Sequence, residues 1–283
     1  MTPNLRNRLL LVLAAILFST GGAAIKAATL TAWQVVCFRS LVAGLAILLL
    51  LPEARRSWRW RTAGVSLAYA ATLILFVLAN RLTTAANAIF LQSAAPLYLL
   101  LFSPWLLKEP IRRADVLYML AVAAGLSLFF VQTESAVATA PDPRRGNLLA
   151  AASGISYALT LAGLRWLARG EETNAGIATV AIGNLLVFLV ALPMALPVAA
   201  PGAANVAVVL YMGIFQVGLS YVCVTKALRH VPAFEANTVL LLEPALNPVW
   251  VWLLHGERPG AWALAGGTVI IGAALVNALR LRT

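Results

Sequence analysis

One acidic residue lies in the middle of an almost wholly apolar segment of this sequence. Residues 240–254 read LLLEPALNPVWVWLL, with Glu243 near the centre, Asn247 one helical turn later and Trp250 on the same helical face. A charged carboxylate at the centre of a bilayer costs about 2.5–3.5 kcal/mol on insertion scales, and protonation or contact with a wet cavity lowers that cost. We therefore predict a cavity wall on which Glu243 binds a proton or the ammonium group of a substrate.

The same segment contains two prolines, which allow a structural interpretation instead. Pro244 and Pro248 have no amide hydrogen, so the carbonyls one turn earlier lose their helical hydrogen bonds. Glu243 and Asn247 would then repair a kinked backbone, and the segment would have a structural or gating role. At the level of the sequence both interpretations stay open. Pro96, in an earlier apolar segment, is the third predicted helix kink.

Three other segments combine polar and aromatic side chains on one helical face. In residues 147–167 such side chains recur at i, i+3, i+4 and i+7, and similar faces occur in residues 62–80 and 86–105. Hydroxyl and amide side chains in membrane helices either line a cavity or bind helices to each other. The candidates for a substrate-cavity wall are Tyr69, Gln92, Tyr98, Ser156, Tyr157, Thr160, Asn247 and Trp250.

Two basic residues lie within or beside apolar segments near the N-terminus. Arg39 lies about two turns into residues 33–51, where it could extend outward, bind a substrate carboxylate or pair with Glu243. We favour the buried ion pair, which makes both residues candidates for coupling or for structure. Lys26 lies at the margin of its segment, so its side chain is expected to extend to the membrane surface.

The sequence predicts neither a metal site nor a cofactor. His230 and His255 lie far apart with few acidic residues around them, a poor basis for a metal site. No G-x4-GK[ST] phosphate loop is present, so this chain is not expected to hydrolyse ATP. Cys37 and Cys223 both lie in apolar segments and are expected to be packing residues.

Composition places these residues in a membrane protein. Of 283 residues 61% are hydrophobic and 11% are charged, with a mean hydropathy of +0.88. Soluble domains have about 25% charged residues, and no soluble core could bury this much apolar surface. The net charge of +11 is spread between apolar runs, which argues against a nucleic-acid partner and leaves membrane lipids. Ten spans are predicted, near 8–26, 33–51, 62–80, 86–105, 114–131, 147–167, 175–196, 206–226, 235–254 and 260–279.

The distribution of basic residues predicts the orientation. With both termini cytoplasmic, fifteen of the 21 Lys and Arg residues lie in cytoplasmic loops, five lie outside and Arg39 lies within a span. The excess of Lys and Arg on the cytoplasmic side agrees with the positive-inside rule. Arg144 and Arg145 go against the rule, and the other loops outweigh them.

The chain contains a weak internal repeat. Shifting it by 148 residues aligns residues 79–110 with 227–258 and gives seven identities in 32 positions. Both copies contain a proline followed thirteen residues later by a glutamate, Pro96 with Glu109 and Pro244 with Glu257. We predict two five-helix units, residues 1–135 and 136–283, and an odd number of spans makes the second unit inverted. Inverted repeats around a central cavity are typical of alternating-access transporters.

Three segments resemble the EamA branch of the drug/metabolite transporter superfamily in its ten-helix form. They are LFSTGGAAIKAATLTAWQVVCFRSLVAGL, LTTAANAIFLQSAAPLYLLLFSPWLLKEP and VPAFEANTVLLLEPALNPVWVWLLHGERP. Overall the first half is most similar to YddG-type exporters of aromatic and other amino acids. The resemblance implies an all-α polytopic exporter of the bacterial inner membrane, monomeric and without a cofactor. It also implies a central cavity for amino acids or related metabolites, with protons as a candidate coupling ion.

Two other function classes compete with a secondary transporter. A passive channel or facilitator would need a continuous polar lining, whereas the polar residues here concentrate toward the middle of the spans. A membrane-embedded enzyme would need an acid–base or metal constellation. A single carboxylate within a span, with no nucleophile or metal partner, offers poor material for one. The sequence therefore favours transport.

Overall fold

A computed structural model describes the protein at residues 3–56, 58–106, 113–131, 137–169, 175–198 and 202–280. Within these ranges the regular structure is helical, apart from one isolated antiparallel bridge between Val137 and Ala140. A bilayer offers backbone groups no hydrogen-bond partner, and a helix satisfies them internally. Glu109 of the internal repeat and the predicted boundary between residues 135 and 136 lie outside the described ranges, as do three of the basic residues predicted to be cytoplasmic, Lys108, Arg112 and Arg282.

The described helices follow one another with short connections. A 3₁₀ turn occupies Pro52–Arg55, and a π-helical segment, Met212–Leu219, joins the α-helices Ala203–Tyr211 and Ser220–Leu228 without a break. The α-helices are α1 (Pro3–Ser19), α2 (Gly21–Ala27), α3 (Ala32–Leu50), α4 (Trp60–Leu82), α5 (Ala85–Gln92), α6 (Ala95–Leu106), α7 (Arg113–Leu128), α8 (Pro143–Ala168), α9 (Ala175–Ala195), α10 (Ala203–Tyr211), α11 (Ser220–Leu228), α12 (Ala233–Leu240), α13 (Leu242–His255) and α14 (Ala261–Arg280).

Local sequence explains where several helices begin and end. A capping box starts α3, because the Thr31 side chain accepts from the Gln34 amide and the Gln34 side chain accepts from the Thr31 amide. Asp142 caps α8, and Pro143 occupies the first helical position, where no backbone donor is needed. α13 ends at Gly256, whose φ of 67° lies in the left-handed region that favours glycine.

Seven of the predicted spans coincide with helical segments that are long and apolar enough to cross a membrane. They correspond to the first four predicted spans and to the sixth, seventh and eighth. The fifth and tenth predicted spans contain shorter apolar helices at 116–128 and 261–273, and the ninth is divided between α12 and α13. The seven segments are Leu5–Ala27, Ala32–Leu50, Trp60–Leu82, Ala85–Phe102, Pro143–Ala168, Ala175–Ala195 and Ala203–Leu228.

Two helices are interrupted at related positions. α5 and α6 are separated at Ser93 and Ala94, and α12 and α13 are separated at Leu241. Pro96 and Pro244 lie in the first turn of the helix that follows each break, where a missing amide hydrogen is tolerated. α5 and α12 have equal lengths and begin 148 residues apart, the same shift that aligns the two copies of the sequence.

Each of the main helix contacts joins the two halves of the chain. α4 packs against α8, α3 against α9, α1 against α11 and α7 against α14. Close approach depends on glycine at such a contact, since a side-chain atom added to Gly183 on α9 would overlap the Tyr69 ring on α4. The interior of the molecule is therefore an interface between residues before and after the middle of the chain.

The outer surface of the bundle is rich in exposed apolar side chains. Leu50, Leu67, Leu120 and Leu254 are each more than 60% exposed, although they lie in helices α3, α4, α7 and α13 rather than at the chain ends. Water-soluble monomers rarely expose extended apolar patches of this kind. These side chains are therefore placed to contact lipid.

Candidate substrate cavity

A small cavity lies between helices of both halves of the chain. In this conformation it has room for about two water molecules, so the halves must move apart before it admits a metabolite. Its lining combines aromatic and aliphatic side chains with two charged groups and two amides. The lining residues are Phe18, Arg39, Thr72, Leu73, Phe76, Gln92, Tyr157, Gln216, Val217, Tyr221 and Glu243.

A second, smaller cavity adjoins the first at the two helix breaks. Gln92, Tyr157 and Glu243 line both cavities. The smaller one extends to Ser93 at the α5–α6 break and to Leu241 at the α12–α13 break. The two interrupted helices therefore bring non-helical backbone to the wall of the space, and in membrane proteins such backbone is tolerated where it lines a cavity.

Arg39 supplies a buried cation to this cavity. Its residue exposure is 1%, and its Nη2 donates to the Leu73 carbonyl at 3.2 Å, while its Nη1 lies 3.5 Å from Gln216 Oε1. Its Nε has no hydrogen-bond partner. Across the described ranges, no carboxylate lies within ion-pair distance of the guanidinium, so the favoured pair with Glu243 is not formed in this conformation.

Glu243 supplies the opposite charge from the other half of the chain. It is the second residue of α13, directly after the break at Leu241, and is 7% exposed. The start of a helix carries partial positive charge, which favours a carboxylate there. Among the residues that the structure describes, no hydrogen bond or ion pair is recorded for the Glu243 side chain. Its carboxylate therefore faces the cavity without a protein partner.

A chain of hydrogen bonds holds the wall beside Gln92. Gln92 Nε2 donates to Ser153 Oγ at 2.6 Å, and Ser153 Oγ contacts the Thr72 carbonyl at 3.3 Å. The Thr72 hydroxyl is in turn 3.2 Å from the Thr160 hydroxyl. These contacts connect α5, α8 and α4. The polar face that the sequence places on residues 147–167 thus supports the cavity wall from behind.

The π-helical segment brings Gln216 into the cavity. In this segment the backbone repeats at i→i+5, which displaces the following residues relative to an α-helix, and such segments often occur at functional sites. Gln216 is 4% exposed, and its amide lies against Gly21, where an added side-chain atom would approach Gln216 Nε2 to 2.7 Å. Sequence reasoning missed Gln216, because the pattern of apolar residues does not distinguish a π-helix from an α-helix.

Aromatic rings form the rest of the wall. The ring centroids of Phe18 and Tyr221 are 4.9 Å apart, and those of Tyr69 and Tyr221 are 4.5 Å apart, both in edge-to-face geometry. The buried hydroxyl of Tyr157 has no hydrogen-bond partner. Of these rings, Tyr69 lies behind the lining, where its hydroxyl accepts from Asn184 Nδ2 at 2.8 Å.

Five other predicted wall residues also lie outside the lining of this cavity. Ser156 and Thr160 donate to carbonyls of their own helix, as small hydroxyls commonly do in membrane helices. Tyr98 packs partly buried against the core, close to Gly154. Asn247 is fully buried against Gly22, and Trp250 Nε1 donates to Ser19 Oγ at 3.0 Å. Pro248, a predicted helix kink, lies within α13.

Lys26 does not extend to the surface, and that prediction is wrong. Its side chain is 5% exposed, and its Nζ is 2.9 Å from Oε2 of Glu257, whose side chain is 6% exposed. Lys26 Nζ also donates to the Thr139 carbonyl at 2.6 Å, and Glu257 Oε1 accepts from the Ala85 amide at the start of α5 at 2.7 Å. The burial of both partners by loops and helix ends from distant parts of the sequence explains the difference.

The described residues hold no cluster suited to a metal. No group of three or more His, Cys, Asp or Glu side chains is placed to hold an ion within the ranges described. The two free cysteines, Cys37 and Cys223, are buried in helices α3 and α11. The chemistry of the cavity is thus that of one guanidinium, one carboxylate, two amides and aromatic rings.

The sequence of the chain matches a family of known proteins. The profile of the EamA-like transporter family matches residues 7–131 and 144–279. The pseudopaline exporter CntI of Pseudomonas aeruginosa, found in two strains, is 29% identical over 276 residues, 94% of each chain. An uncharacterized transporter of Clostridium kluyveri is 37% identical over 73 residues, 26% of this chain and 24% of that protein.

A solved crystal structure has the same overall fold. The two chains superpose with a TM-score of 0.66 over 98% of this chain and 97% of the other, at 21% sequence identity. At this identity the likeness concerns the fold alone. It covers nearly the whole chain, including the helices that surround the cavity.

Proposed function

The chain belongs to the EamA-like transporter family, and we propose that it exports small metabolites, amino acids among them, by alternating access. It is a multi-pass membrane protein of a transporter family, with a relative named as a metabolite exporter. The observation that carries the proposal is the cavity, where Arg39 from the first half and Glu243 from the second face a common space. A substrate bound between two halves can be released when they move relative to each other.

The arrangement of helices supports two inverted five-helix units with ten spans. The family profile matches the chain in two stretches of similar length, one on each side of residues 132–143. The helix contacts also repeat between the halves. Under the 148-residue shift α1 corresponds to α8 and α4 to α11, so the contact of α4 with α8 corresponds to that of α11 with α1. In this proposal the protein lies in the bacterial inner membrane with both termini in the cytoplasm, where the positive-inside rule places the basic loops.

The inverted arrangement makes a prediction about topology. In a background with Cys37 and Cys223 replaced by alanine, single cysteines are introduced as Arg113→Cys and Arg258→Cys. We expect an impermeant thiol reagent to label them from opposite sides of the membrane, because the two residues follow corresponding spans of inverted units. Labelling of both from the same side would contradict the inverted repeat.

Transport itself is tested with purified protein in proteoliposomes. Labelled phenylalanine, tyrosine, leucine and pseudopaline are offered with and without an imposed pH gradient. Pseudopaline is included because a relative at 29% identity is named as its exporter. We expect concentrative, protonophore-sensitive movement of at least one compound. Equilibration without concentration would identify a facilitator, and no movement of any compound would contradict the proposed substrates.

Tyr157 is expected to influence substrate choice. Tyr157→Ala enlarges the wall shared by the two cavities and removes an aromatic surface, so aromatic substrates should lose about tenfold in affinity relative to leucine, which corresponds to about 1.4 kcal/mol. Competition for transport by phenylalanine and by leucine measures the change.

The matched control for Tyr157 is Ser156→Ala, one residue earlier on α8. The Ser156 hydroxyl bonds to the carbonyl of Ser153 rather than lining the cavity, so the relative preference should stay unchanged. An equal loss for phenylalanine and leucine in Tyr157→Ala would identify a general defect and contradict a role in selection.

A further inference from the structure

We propose that Arg39 is the anion-binding group of the cavity and that the transported substrates carry a carboxylate. The inference rests on the proposed function, since it gives the chemical class of the substrate that the same cavity binds. It concerns a contact between a ligand carboxylate and the guanidinium. The class includes amino acids and other small carboxylic acids and excludes simple amines.

Arg39 has no counter-ion in contact with it among the residues that the structure describes. Arg39 is 1% exposed, and a buried cation is costly unless an anion compensates it. Its recorded hydrogen bonds go to neutral oxygens, the Leu73 carbonyl and Gln216 Oε1. The phenols of Tyr157 and Tyr221 in the same lining are uncharged near neutral pH. Among the described residues, no carboxylate lies within ion-pair distance of Arg39, and Glu243 lines the same cavity without pairing with it.

The guanidinium is also incompletely hydrogen-bonded where it meets the cavity. Arg39 is one of the lining residues, and its buried Nε has no hydrogen-bond partner. A guanidinium presents its donors in a planar fork that matches the two oxygens of a carboxylate. Nη1 and Nη2 contact neutral oxygens at 3.5 and 3.2 Å. A ligand anion would therefore add to the hydrogen bonds of the guanidinium and would not have to displace an ion pair.

The charges of the lining favour a carboxylate over a phosphate as the ligand. The cavity contains one arginine, and Glu243 lies in the same lining. A phosphate near neutral pH carries up to two negative charges, and the second would be left uncompensated beside a carboxylate. A single carboxylate matches a single guanidinium. A substrate that also carries an ammonium group can direct it toward Glu243.

Two substitutions of Arg39 test the proposal. Since no carboxylate of the described residues pairs with Arg39, Arg39→Gln breaks no ion pair, and glutamine keeps a polar side chain at this position. The variant is therefore expected to fold. Arg39→Lys keeps the positive charge and loses the planar fork, which separates charge from geometry.

The experiment measures ligand-induced thermal stabilisation of the purified protein in nanodiscs. The probes are phenylalanine, 3-phenylpropanoate, phenylalaninamide and phenethylamine, with chloride at equal ionic strength as the inorganic anion. Wild type should bind the two carboxylates about tenfold or more tightly than the amide and the amine, because charge-assisted hydrogen bonds contribute that much. Arg39→Gln should lose this preference for the two carboxylates, and Arg39→Lys should lie between wild type and Arg39→Gln.

The outcomes separate this inference from the proposed function. Equal stabilisation of wild type and Arg39→Gln by 3-phenylpropanoate would overturn the inference, as would tight binding of phenethylamine or stabilisation by chloride alone. Export in liposomes without any preference for carboxylates would overturn the inference and leave the proposed function standing. Carboxylate binding that depends on Arg39 without transport would support Arg39 as the anion-binding group and contradict the proposed function.

Discussion

Lys26→Met is expected to lower the free energy of unfolding by about 3–5 kcal/mol, because it leaves the buried carboxylate of Glu257 without its partner. The Lys26–Glu257 ion pair has both side chains almost fully buried and joins the end of α2 to the loop after α13. Glu257→Gln should be destabilising for the same reason, since it leaves the ammonium group of Lys26 uncompensated. Thermal unfolding of the purified variants, monitored by intrinsic tryptophan fluorescence, measures both effects.

The double variant tests whether the charge itself is responsible. Lys26→Met combined with Glu257→Gln removes both charges and keeps an acceptor for the Ala85 amide, so it should be more stable than either single variant. The matched control is Arg8→Met at the exposed pair with Glu235, where side-chain exposures are 47% and 38% and the expected effect is below about 1 kcal/mol. Single variants as mild as the control would show that the buried charges are solvated by other means.

Glu243→Gln is expected to abolish the dependence of export on a pH gradient. We propose that the carboxylate binds the substrate ammonium on the cytoplasmic side and takes up a proton when it faces the acidic outer side, which releases the substrate. Glutamine has a similar shape, but it does not take up a proton and carries no negative charge to attract an ammonium group. Export driven by an acidic exterior should fall by about tenfold or more, as expected for the loss of a charge-assisted contact in a buried site.

The measurement compares export at several imposed pH gradients in proteoliposomes. Glu235→Gln is the control, because Glu235 is a carboxylate of the neighbouring helix α12 that lies in an exposed ion pair away from the cavity. It should keep the wild-type dependence on pH. An unchanged pH profile in Glu243→Gln would assign this residue to the structure of the interrupted helix, the alternative that the sequence leaves open.

The helical class and much of the span pattern could be read from the sequence, because both depend on local chemistry. In lipid the backbone must form its hydrogen bonds within each helix, so apolar length alone identifies a span. Seven spans coincide with sufficiently long apolar helices, and Pro96 and Pro244 occur next to the two interruptions. Gln92, Tyr157, Arg39 and Glu243, all candidates from the sequence, lie in one cavity.

Tertiary structure alone decided which partners these side chains have. Lys26 contacts Glu257 from the far end of the sequence, Tyr69 bonds to Asn184 instead of lining the cavity, and Gln216 enters it through a π-helical segment. Helical periodicity places a residue on a face, but it does not tell which other helix that face meets. That depends on how closely distant helices approach, and their approach is set by packing among residues from both halves of the chain.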